Sequence, residues 1–353
     1  MNLEGSSVLE TEPTPAGATT PRRGAFVLRL LQGSGKAVHE LALVPAIGLA
    51  VLVGALVSDA FLTSANITNL LQQSAVLGVV VIAETLILLV GRFDLSLESV
   101  VGLAPMVVAW MITADGLGGL GISLNPLLAM GLALVIGAAV GAVNGMLVVK
   151  LQLNAFIVTL AMLILLRGLV LGISHGQTFF DLPSQFLYLG IATWIGVPAS
   201  VWIVAGLFVL AAGFLRYHRI GRSMYAIGGN AAAARAAGIR VDRIIIGVYV
   251  VAGALSAFAG LLLTARIASV TAGQGQNLIF TVFAAAVIGG ISLDGGRGRM
   301  VGALSGVLLL GIIQNILTLS QVQSFWIDAC FGAIILISLI ISRVAGGRQD
   351  GAP

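Results

Sequence analysis

Apolar residues in this chain come in long, nearly unbroken runs, separated by short polar connections. The runs cover 41–57, 74–90, 99–113, 126–149, 156–173, 198–215, 244–264, 278–291, 300–319 and 326–341. A bilayer core takes roughly 17 to 25 helical residues. The pattern therefore predicts an all-α integral membrane protein, a polytopic helical bundle of about ten transmembrane helices. The eighth run, 278–291, is short for a crossing, and its length also suits a discontinuous or re-entrant helix.

Basic residues turn this pattern into a topology. With the amino terminus in the cytoplasm and ten crossings, sixteen of the eighteen Lys and Arg residues fall on the inner side. The two others are Arg167, within the fifth run, and Arg266, at the outer end of the seventh. Cytoplasmic connections of membrane proteins carry such an excess, so both termini are expected in the cytoplasm. A re-entrant eighth run would export Arg297, Arg299, Arg343 and Arg348, so the charge count favours a full crossing.

Composition agrees. The chain is 58% hydrophobic and 9% charged, with mean hydropathy +1.08, too little polarity to solvate a globular surface. The net charge of +4 reads as inner connections facing anionic membrane lipid, not as a nucleic-acid surface. A single cysteine, Cys330, excludes an internal disulfide and a Cys-rich metal site. The first twenty residues are polar, rich in Glu and Pro, and without the apolar core of a cleavable signal. The expected organisation is a disordered cytoplasmic tail with an interfacial helix (1–40), a membrane domain (41–342) and a cytoplasmic C-terminal tail (343–353).

The longest polar interval, 216–243, holds six of the basic residues. Asn230 is a good N-cap, 231–237 is a run of strong helix formers, and Gly238 sits where a C-terminal cap belongs. Such a two-turn helix is marginal alone in water. It is expected to dock on a cytoplasmic partner.

Two glycine patterns are decoys. GSGKA (33–37) lacks the first glycine and the hydroxyl residue of a phosphate-binding loop, and GLGGLG (116–121) has no strand before it. Gly137, Gly141 and Gly145 share one helix face and allow close packing, against a partner helix the sequence does not name. Asn144, beside that face, reads more readily as interhelical glue than as a solute ligand. Glu84 and Arg167 lie deepest in the membrane and must face protein, water or each other; Glu84 is the one acidic residue expected deep in a span. Gln314 and Asn315 could bond a sugar hydroxyl or a neighbouring helix. Asp94 and Asp294 read as helix caps near the interface, Asp94 also pairing with Arg92. The outer segments 61–71 and 272–278 could each form a short surface helix, and 175–197 a small cap. The three histidines are far apart and no nucleophile, metal or carboxylate constellation appears, so an active site, and with it a membrane-embedded enzyme, is not indicated.

Several pieces, in order, resemble the permease subunits of ribose-type (BPD transport 2 class) ABC sugar importers. They are NLLQQSAV from Asn69, G-x-x-DLS at 91–96, NAFIVTLAMLILLRG at 154–168, GR-x-x-YAIGGN-x-A-A-x-R-x-x-GI at 221–239, and AAAVIGGISLDGGRGRMVGAL at 284–304. The resemblance covers about 61–343. It implies a bacterial inner-membrane permease fold with no ATPase site of its own and no cofactor, ATP being bound by a partner. It further implies a cytoplasmic ABC ATPase, a secreted sugar-binding protein and a second permease copy as partners, most simply a homodimer.

The interval around Asn230, Ala232, Ala233, Arg235 and Gly238 would then be the ATPase-coupling loop, inserted into a cleft of that ATPase. Here Ala231 replaces the family's usual Glu, and G-R-F-D-L-S followed by LESVVG replaces G-I-D-L-S, a departure compatible with a different solute. The implied function is ATP-driven import of a monosaccharide. Nucleosides, branched-chain amino acids or another small solute are the alternatives within the family, and an ion-coupled secondary transporter is the alternative outside it.

Overall fold

A computed structural model describes residues 43–180 and 182–345. The expected tail, interfacial helix and GSGKA segment lie outside the described residues. Within them the chain is almost wholly helical: α1 (Leu43–Val57), α2 (Ser64–Leu89), α3 (Leu97–Ile112), α4 (Pro126–Val149), α5 (Ala155–Ser174), α6 (Ser184–Ile191), α7 (Ala199–Tyr217), α8 (Arg219–Gly229), α9 (Ala231–Ala236), α10 (Val241–Ile267), α11 (Leu278–Ile288), α12 (Met300–Leu319) and α13 (Ser324–Ala345). Six of these, α2, α4, α5, α7, α10 and α12, are long and apolar enough to cross a membrane, while α1, α3, α11 and the apolar part of α13 are shorter.

Several helix starts are written in the sequence. Thr63, Asn125, Asn154 and Asn230 each accept a backbone N–H of the first turn of the helix they precede, the usual use of Thr and Asn at N-caps. Helix α2 is apolar from Ala75 to Leu89 except for Glu84 and Thr85, and buried on every side, as a central helix must be. Around it pack α10, α12, α11 and α7. Helix α10 in turn packs along the length of α4. There the backbones touch. A Cβ on Gly141 would collide with the Tyr249 carbonyl, and Gly137 lies against Gly253 and Ala257. The glycine face predicted on α4 thus packs against α10 of the same chain.

Two expected outer helices do not form as such. Residues 64–71 are the first turns of α2, which is 26 residues long, because Thr63 caps there and nothing interrupts the helix afterwards. Residues 271–277 are a chain of turns, with Gln274 drawn into the bundle. Residues 175–197 do form a small cap: α6, a two-residue antiparallel pair (Thr193↔Pro198, Trp194↔Val197) and a bridge from Phe179 to Val270. The bundle thus has one end built from α6 and this cap, and an opposite end built from α8 and α9.

Helix α11 is 11 residues long, about 16 Å at 1.5 Å per residue. The chain from Val270, at the α6 end, reaches it through the turns of 271–277 and leaves it beside α8. Turns and a short helix together carry it between the two ends.

Candidate functional site

At the α9 end, helices α8 and α9 stand on two glycine-rich turns. His218 caps α8 by accepting the Ile220 N–H, and α8 buries Gly221, Met224 and Ile227 against the bundle. The Asn230 side chain accepts the Ala233 N–H at 2.9 Å. Helix α9 closes with Gly238 at φ +81°; the Gly238 N–H reaches the Arg235 carbonyl and the Ile239 N–H the Ala234 carbonyl. This paired C-terminal closure is the one glycine favours. Ala234 is buried, whereas Ala232, Ala233 and Arg235 are exposed. Arg235 and Asp242 form an ion pair at 2.8 Å, each about half exposed. The result is a small, rigid, solvent-facing knob of alanine.

The knob is fixed to the membrane helices through Gly228. A Cβ there would run into the Leu89 carbonyl and the Gly296 nitrogen, and the Gly296 N–H donates to that same carbonyl at 3.0 Å. Gly91 and Gly295 meet at the same point. The Tyr225 hydroxyl donates to the Gly298 carbonyl at 3.0 Å, and burial pushes this phenol above its ordinary pKa. So α8 touches both the α2–α3 turn and the α11–α12 turn.

The α2–α3 turn carries a buried polar set. Asp94 Oδ1 accepts the Ser96 N–H at 2.8 Å and the Ser96 hydroxyl at 2.6 Å. Asn144 of α4 donates to Ser96 Oγ at 2.8 Å and to Asp94 Oδ2 at 3.4 Å. Tyr249 of α10 donates its hydroxyl to the Phe93 carbonyl at 3.0 Å. Asp94 is fully buried, and its partners are Ser96 and Asn144, not Arg92. Asp294, by contrast, is exposed. Glu84, on α2 close to Asp94, is fully enclosed.

Arg167 does not face Glu84. Its guanidinium lies 3.7 Å from Glu98 Oε1, and Glu98 Oε2 accepts the Ile279 N–H at the start of α11 at 3.2 Å. Glu98 thus joins α3, α5 and α11. The expectation that Glu84 is the one deep acidic residue fails, because α3 starts two residues before the apolar run and takes Glu98 inside with it. Gln274 sits alongside. Pro105, inside α3, has no N–H for the Val101 carbonyl, and the Gln274 amide replaces it at 3.1 Å while also donating to the Gly260 carbonyl and Thr264 Oγ1. Glu98, Ser99, Arg167, Gln274 and Gln276 line one narrow cleft.

The remaining polar candidates lie apart from it. Asn315 forms a reciprocal amide pair with Asn66, at 2.9 and 2.8 Å, joining α12 to the start of α2. Gln314 is half-buried. Glu98 and Gln274 escaped the sequence reading, although a proline inside an apolar helix signals that a donor must come from elsewhere. No group of three metal-ligating side chains occurs among the described residues.

Comparison with known proteins supplies the family. Residues 66–339 match the family described as "Branched-chain amino acid transport system / permease component". The chain is 40% identical over 293 residues to the ribose import permease protein of Escherichia coli (strain K12), covering 81% of this chain and 88% of that one. It is 33% identical over 334 residues to the L-arabinose ABC transporter permease protein of Azospirillum brasilense, 94% of each chain. It is also 33% identical over 301 residues to the D-allose transport system permease protein of Escherichia coli (strain K12), covering 84% and 90%. No solved structure matches. The chain belongs to the branched-chain amino acid transport system / permease component family of membrane transport subunits.

Proposed function

We propose that this protein forms the translocation path of an ATP-driven importer for a monosaccharide. The observation that carries this reading is the capped α9 knob, solvent-facing and seated through Gly228 on the turns that begin α3 and α12. A chain with this arrangement can take force from a cytoplasmic ATPase and pass it to the helices around Glu98 and Arg167. The ribose, arabinose and allose permeases among its relatives favour a sugar over a nucleoside or branched-chain amino acid. Delivery by an extracytoplasmic sugar-binding protein, and binding of ATP by the partner subunit alone, belong to the same reading.

Ten membrane crossings with both termini in the cytoplasm complete the picture. The arginines of α8 and α9, with Arg297 and Arg299, gather at the α9 end, the cytoplasmic end by the distribution of positive charge. Arg167, twelve residues into an apolar helix, has a side chain 31% exposed. A guanidinium at that depth does not face hydrocarbon at small cost, so this side of α5 faces water or protein. Gly168 and Gly172 lie next to it with open space above them, room for the close approach of a second copy.

Deleting residues 230–238 is expected to abolish copurification with the cognate ATPase; normal copurification would refute the coupling role. An ion-coupled transporter is the second reading, since Glu98 puts a carboxylate beside the cleft. Uptake that survives loss of nucleotide hydrolysis and collapses with a protonophore would establish that reading instead.

A further inference from the structure

The Glu98, Arg167 and Gln274 cleft has a donor and acceptor pattern that selects for one chemistry. Arg167 offers guanidinium donors and keeps part of its side chain open to the surface. Glu98 is 4% exposed and its Oε1 meets Arg167 at the loose distance of 3.7 Å. Gln274, 8% exposed, shares its two amide N–H groups among Val101, Gly260 and Thr264, and its buried Oε1 has no hydrogen-bond partner among the described residues. Ser99, on the cleft wall, is held by its bond to the Leu163 carbonyl.

A buried acceptor with no donor costs about 1 to 3 kcal/mol, a cost a ligand donor removes. A solute carboxylate only accepts, and would face both the Glu98 and Gln274 oxygens. An ammonium only donates, and would face Arg167. A hydroxyl does both.

We propose that this cleft is a solute station that holds a pair of neighbouring hydroxyl groups, one donating to Gln274 Oε1, the other donating to Glu98 and accepting from Arg167. The proposal rests on the sugar-importer reading and adds to it the residues that discriminate the solute. Glu98 falls in the LESVVG stretch, where the sequence departs from the usual family wording, and it is the residue through which solute choice is set.

The test uses the complete importer, permease with its ATPase and binding protein, in proteoliposomes. In a Cys330→Ala background, Ser99→Cys is reacted with a small water-soluble thiol reagent in the presence of ATP, loaded binding protein and D-ribose, L-arabinose or D-allose in turn. The imported sugar is expected to slow labelling at least five-fold, with no effect from the others. In parallel, Glu98→Gln is expected to shrink the preference for that sugar over its deoxy analogue ten-fold or more. Labelling that ignores the imported sugar overturns the proposal, whatever Glu98→Gln does; so does an unchanged preference in an active Glu98→Gln protein. If the parent imports none of the three sugars, the sugar reading fails first, and that outcome is visible before any variant is made.

Discussion

Asn230 shows how much a single residue can carry. Its side chain satisfies the Ala233 N–H at the mouth of a six-residue helix too short to persist unaided. Replacing a capping Asn with Ala costs about 1 kcal/mol, enough to fray α9. Asn230→Ala should therefore weaken ATPase binding several-fold by pull-down or surface plasmon resonance, while the thermal midpoint of the purified permease moves by under about 2 °C. Asn144→Ala should do the opposite. It leaves Ser96 and the enclosed Asp94 short of a donor, a loss of about 1 to 3 kcal/mol, read as a lower melting temperature in detergent with ATPase binding intact. Asn230 was legible in the sequence because capping is local. Gln274 was not, because its role answers a proline 169 positions earlier, and no local pattern joins Pro105 to it.

Among the elements, boundaries fixed by composition came out within a few residues, except that α2 begins ten residues before its run. Helices α4 and α12 coincide with their apolar runs, α5 extends its run by one residue at each end, and α7 starts one residue after its run and ends two after it. Helix α8 was hidden. Its apolar side is reduced to residues such as Met224 and Ile227, scattered among arginines and glycines, so the interval read as polar loop. The glycines on α4 and α5 look alike in sequence and differ in space. Gly141→Ala pushes a methyl into the backbone of α10, and overpacking of this kind costs about 1 to 3 kcal/mol. Gly168→Ala meets nothing among the described residues and gains helix propensity. Thermal scans of the purified protein should show Gly141→Ala destabilised and Gly168→Ala unchanged or slightly stabilised. If Gly168→Ala instead lowers the fraction of paired permeases on native gels, the α5 face is where copies meet.

For the whole molecule, the two ends of the bundle make opposite claims on the environment. One exposes alanine and arginine around α9; the other exposes Tyr188, Trp194 and Ile195, the last at 92%, the aromatic and aliphatic side chains that favour a membrane interface. In right-side-out vesicles lacking Cys330, an impermeant maleimide should label a cysteine at Ile195 and leave one at Ala236 untouched until the membrane is opened. The reverse result would turn the protein over and remove the ATPase from α9.

The mended break in α3 also constrains how the chain is made. The Val101 carbonyl waits 173 residues for the Gln274 amide, so during synthesis that stretch enters lipid with a bare oxygen that nothing upstream can cover. The third helix is therefore expected to wait in a wet or chaperoned niche at the translocon until the polypeptide beyond α10 emerges. Nascent chains arrested before residue 274 should remain crosslinked to that machinery long after their hydrophobic segments are complete.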